Sequence, residues 1–110
     1  MNFGDLLQYL DDHSGFQILD GTPAESIAKA KAGTHQNPIA AEIIIAAAEN
    51  LGLGGEADAI ERVAFVNSLG KIRLKYMADD APVEGFRTVE KVITTADAAF
   101  NEEALRERAK

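Results

Sequence analysis

The sequence predicts a mainly α-helical single domain over residues 1–110, a compact bundle of about five short-to-medium helices, with a β-hairpin at residues 62–77 as the competing local structure. Three observations predict it. Apolar residues recur at steps of three and four along most of the chain, the period of an amphipathic helix. Asn, Thr, Pro and Gly fall at the ends of those stretches, where helix caps belong. A length of 110 residues suits one domain that buries roughly two thirds of the surface its unfolded chain exposes. The apolar residues are largely Ala, and the aromatic side chains are Phe3, Phe16, Phe65, Phe86, Phe100, Tyr9 and Tyr76, so the expected core is aliphatic and thin.

The first element runs from Asn2 to His13, with Phe3, Leu6, Leu7 and Leu10 at helical spacing, Asn2 as N-cap and Gly15 just past the end. Phe16 to Leu19 alternates, is stopped by Asp20 and Gly21, and is expected as an extended connector or short edge strand. Thr22-Pro23-Ala24-Glu25 is a capping box that starts a small, Ala-rich helix ending at Gly33. Asn37-Pro38 repeats the start logic, and Ile39 to Leu51 is apolar on nearly every side, with Glu42 and Glu49 its charges. Such a helix belongs in the middle of a bundle, surrounded by other helices or other subunits.

Gly52-Leu53-Gly54-Gly55 breaks the chain as a turn, since it follows a helix and has none of the lysine of a phosphate-binding loop. Residues 56–78 read as helix or as hairpin. As helix, Ile60, Val63, Phe65, Val66, Leu69, Ile72, Tyr76 and Met77 make a wide apolar face, interrupted by Arg62 and Arg73. As hairpin, Lys71 to Met77 alternates with Ile72, Leu74 and Tyr76 on one face, and Asn67 to Gly70 is the turn. Helix is preferred because Ala57 to Val66 is helix-like and a hairpin would need a long loop ahead of it. After the break at Asp79 to Pro82, the steps Phe86, Val89, Ile93, Ala96 and Phe100 predict another amphipathic helix, and Asn101-Glu102-Glu103 caps a final turn, Ala104 to Lys110.

Charge and composition narrow the function. The net charge of −7 is uneven: residues 1–61 carry ten acids against Lys29 and Lys31, a balance of −8, while residues 62–110 carry nine bases against eight acids. An acidic first half repels phosphate, so nucleic acid is not an expected partner. The absence of cysteine removes disulfides, thiolate catalysis and Cys-based zinc sites, and fits a cytoplasmic chain or one within an assembled particle. The N-terminus has no basic and apolar leader, and no apolar run spans a bilayer, so no membrane partner is expected.

No side-chain pattern points to catalysis. His13 and His35 lie in different connectors, and the Asp11, Asp12, His13 and His35 spacing matches no metal-ligand motif, so neither metal nor cofactor is expected. Gly33 to Pro38 places His35, Gln36 and Asn37 before a helix N-terminus, where backbone amides favour an anion, and these three are the candidate ligand-binding residues. Arg62, Lys71, Arg73 and Lys75, with Tyr76 beside them, contain no acid up to Asp79 and are the candidate protein-interaction residues. The expectation is therefore a non-enzymatic protein–protein interaction and assembly subunit of a larger complex, such as a virion, connector or multi-subunit particle, which associates with copies of itself or charged neighbours. The alternative is an acidic inhibitor of the immunity-protein type that binds a basic enzyme or mimics nucleic acid.

Overall fold

The computed structural model describes residues 1–109. Its order is α1 (Phe3–His13), α2 (Pro23–Ala32), α3 (Pro38–Leu51), α4 (Arg62–Ser68), α5 (Gly70–Met77) and α6 (Val83–Ala109). The described residues form six helices rather than about five, and no strand; the single bridge is between Asn2 and Ala59. The 27 residues of α6 rise about 40 Å and account for most of the 48 Å long axis of a molecule 27 × 25 Å across.

The first three helices begin where local chemistry dictates. Asn2 accepts the Asp5 amide at 2.8 Å, Thr22 and Glu25 exchange the two hydrogen bonds of a capping box, and Asn37 accepts from the amides of Ile39 and Ala40. Gly33 and Gly52 close α2 and α3 at φ of 76° and 64°, a left-handed conformation that glycine adopts without steric cost. Between α1 and α2 the chain is a connector and not a strand. It is held by Asp11, whose carboxylate takes the amides of Ile18 and Leu19 at 3.0 and 2.9 Å.

Helix α3 lies at the centre, as its all-round apolar character requires. Ala40, Ile43, Ile44, Ala47 and Ala48 are buried, joined by Phe3, Leu6, Leu7 and Leu10 of α1, Phe65, Leu69 and Val89. At about 25 cal/mol per Å² of apolar surface, this aliphatic cluster is the main source of stability.

The segment from 56 to 77 corrects one expectation and decides between two alternatives in favour of the preferred helix. Helix does not begin at Ala57 but at Arg62, because the backbone before it serves α1: the amides of Phe3 and Gly4 donate to the carbonyls of Asp58 and Glu56 at 2.8 Å each, and Ile60 donates to Met1 at 2.9 Å. These contacts satisfy first-turn donors that α1 cannot satisfy internally. The hairpin at 62–77 does not form. Leu69, Ile72 and Tyr76 follow helical steps of three and four and turn inward together, whereas Leu74, which a strand would place beside them, is 69% exposed. The helical stretch breaks at Leu69 (φ −92°, ψ 1°), which separates α4 from α5.

Helix α6 runs without interruption from Val83 to Ala109, so the separate turn expected from Ala104 is its continuation; Lys110 lies outside the described residues. No Gly or Pro after Gly85 stops the i→i−4 ladder. Its buried stripe is Gly85, Thr88, Val89, Val92, Thr95, Ala96 and Ala99, rotated away from the one expected. Small residues bring the backbone close to its neighbours, Thr88 satisfies its hydroxyl on the Glu84 carbonyl at 2.7 Å, and Phe86 is left at the rim. The joint with α5 is tight. The Tyr76 ring covers Gly85 so closely that a Cβ there would overlap Tyr76 Cδ1.

Candidate functional site

The loop before α3 is a closed structural node. His35 is buried; its Nδ1 accepts the Asn37 amide at 2.9 Å, so Nε2 carries the proton and donates to the Ile18 carbonyl at 2.9 Å. The Gln36 amide donates to Asp20, whose other oxygen meets Lys29, and Asn37 Nδ2 donates to the Gln17 carbonyl. The Gln36 amide is the principal reason the Asp20 carboxyl is held below its ordinary value, with Lys29 adding to it against the opposing effect of burial. The polar atoms that suggested an anion site thus bind the α1–α2 connector to the start of α3. The amides at the α3 N-terminus are capped by Asn37 itself.

The candidate interaction residues do not share one surface. Arg62 meets Asp97 at 2.8 Å and Arg73 meets Glu90 at 2.6 Å, both tying α4 and α5 to α6. Lys75 and Tyr76 converge on Glu42 of α3 at 3.2 and 2.9 Å, and the Lys75 ammonium sits 5.0 Å from the Tyr76 ring centre. Burial first, and then the hydrogen bond to Glu42, push the Tyr76 phenol above its ordinary value. Lys71 stands apart, exposed beside a shallow recess with Asn50, Asn67 and Ser68. The basic stretch therefore clasps α4 and α5 onto acids of α3 and α6.

Sequence reasoning missed the face at the α5–α6 corner. Leu74, Met77, Val83 and Phe86 are 69, 58, 71 and 36% exposed. Met77, Val83 and Phe86 line one recess with Tyr76 and Ala81, and Phe86 continues into a cleft of about 540 Å³ with Phe16, Arg87, Glu90 and Lys91. The signal was in the sequence, since Val83 and Leu74 fall off the helical stripes, but a stripe read by spacing alone assigned Phe86 to the core.

The acids of the first half divide into two groups. Asp11, Asp20, Glu25 and Glu42 accept internal hydrogen bonds. Asp12 takes the Gln8 side-chain amide and Asp58 the Gly54 amide in the same way, whereas Asp5, Glu56 and Glu61 are exposed where residues 1–5 run beside 56–61, and Glu49 is exposed on α3. Among the described residues no group of three or more His, Cys, Asp or Glu could hold a metal ion, and no helix is long and apolar enough to cross a membrane. Comparison with protein-family models, with curated proteins and with solved structures finds no match to this chain.

Proposed function

We propose that this chain is a non-enzymatic assembly subunit that docks onto protein partners through the α5–α6 corner. The observation that carries this reading is the group of large apolar side chains facing outward there, Met77, Val83 and Phe86, from two adjacent helices. Scattered single exposed leucines are normal, but neighbouring ones that line a shared recess mark a surface that another protein covers. The central α3 fits as well: its buried face, Ala40, Ile43, Ile44, Ala47 and Ala48, packs into the chain's own core, and the corner is additional to that core. A photo-crosslinking residue at Val83, with the same group at exposed Lys31 as control, tests the reading in the native cell. A protein adduct of defined mass at position 83 alone is expected. Equal labelling at both positions, or none at either, would end it.

A second reading, an acidic inhibitor of a basic enzyme, draws on the exposed group Asp5, Glu56, Asp58 and Glu61. It requires fast association that weakens steeply with salt and is insensitive to the corner residues. Loss of binding on changing Val83 but not Glu56 and Glu61 separates the two in favour of assembly.

A further inference from the structure

We infer that the partner at the corner is a second copy of this chain, docked head to tail, with the acidic end of one copy seated in the basic cleft of the next. This inference rests on the assembly reading and names its partner. The cleft beside α6 is lined by Phe16, Phe86, Arg87 and Lys91, with Glu90 neutralised by Arg73 at 2.6 Å. Arg87 and Lys91 stand four apart on α6, both exposed, and neither makes an ion pair among the described residues. In a chain of net charge −7 this is a local excess of two positive charges beside two aromatic rings. Asp79 lines the neighbouring recess with Val83 and Phe86, and Glu84 stands one turn before Arg87, so the basic character is confined to Arg87 and Lys91 themselves.

The complementary surface is formed where residues 1–5 run beside 56–61. Asp5, Glu56 and Glu61 are exposed there, Val63, itself 69% exposed, follows at the start of α4 beside Arg62, and α4 is fixed to α6 by the Arg62–Asp97 pair. Asp97 is ten residues beyond Arg87, about 15 Å along the helix. Each copy therefore carries an acidic knob on one part of its surface and a basic, aromatic-lined cleft on another. Two different patches of one molecule that fit each other form a heterologous contact, which propagates into a ring or an open filament. Opposite charges steer the encounter, and the apolar side chains supply the buried area.

Sedimentation velocity over micromolar to millimolar concentration, at low and high salt, tests it. The wild type is expected to associate, with weaker association at high salt. Arg87→Glu with Lys91→Glu, and separately Glu56→Lys with Glu61→Lys, each weaken association roughly tenfold or more. Mixed, the two variants associate again, because the acidic knob of the first fits the unchanged basic cleft of the second. All the changed residues are exposed, and circular dichroism confirms that each variant remains helical. A wild type that stays monomeric throughout overturns the inference, as does failure of the mixture to associate. The Val83 crosslink keeps the two ideas apart: an adduct to a different protein refutes self-docking and retains the assembly reading, whereas no adduct removes both.

Discussion

The loop before α3 and the corner between α5 and α6 are inversions of each other. Residues 33–37 are polar in sequence, yet His35 turns inward, with both its ring nitrogens and both amide atoms of Asn37 engaged by the protein's own backbone. Leu74, Met77, Val83 and Phe86 are apolar in sequence and turn outward. Polarity alone would place the function at the loop and the core at the corner. Burial and hydrogen-bond satisfaction show instead His35 and Asn37 engaged internally and the apolar corner side chains exposed, because a buried polar group must find partners and an exposed apolar one must find a cover or remain wet.

The strongest way to break the comparison is at the joint behind the corner. Gly85→Ala drives a methyl group into the Tyr76 ring, which is held in turn by Glu42, so neither side can retreat. A loss of about 3 kcal/mol in urea unfolding is expected. If the variant is as stable as the wild type, α5 and α6 are not packed as described. At the loop, His35→Ala leaves the Ile18 carbonyl and the Asn37 amide without their partner and opens a small void. It should cost about 2 kcal/mol. A ligand-binding histidine would behave differently, its removal leaving stability unchanged or raised. Asn37→Ala removes the α3 cap and the hydrogen bond to the Gln17 carbonyl, for about 1 kcal/mol.

The two regions should also differ in how they respond to pH. Asp20, held low chiefly by the Gln36 amide, and Glu25, held low chiefly by the Thr22 amide, have folded values below their unfolded ones. Their contribution is present above the ordinary carboxylate value of about 4 and is lost as pH falls through the depressed folded values. Tyr76 has the opposite sign. Its raised value means stability that is present below about 10 and is lost as pH rises through the folded value. Hydrogen exchange should show the loop amides, such as Gln36 and Asn37, loosening first in acid and the α5–α6 amides loosening first in alkali. The same order at both extremes would contradict this division. The smallest effect sharpens the comparison from the other side: Val83→Ser at the corner should change stability by no more than about 0.5 kcal/mol, as at any exposed site without internal partners. A larger loss would mean that the corner is structural after all.

What was legible in advance was local. Asn2, the Thr22–Glu25 capping box, Gly33, Asn37-Pro38 and Gly52 each act within a few residues of their own position, so their type and spacing carry the whole instruction. The central place of α3 followed for the same reason, since a helix apolar on all sides has one kind of environment. Residues whose partners are distant in sequence were not legible. Arg73 reads as a free surface charge until α6 brings Glu90 to it, and Glu56 to Ile60 reads as helix until the first turn of α1 claims its carbonyls.

The sequence by itself determined a helical chain, its first three helices and their caps, and a lopsided charge. Only the tertiary structure decided that the hairpin gives way to α4 and α5, that the basic stretch is neutralised by acids of α3 and α6, and that Phe86 lies at the rim. The physical reason is one of range. Capping and periodicity are settled by neighbours along the chain, whereas the rotation of α6 is settled by how closely its small residues, above all Gly85, let the Tyr76 ring approach.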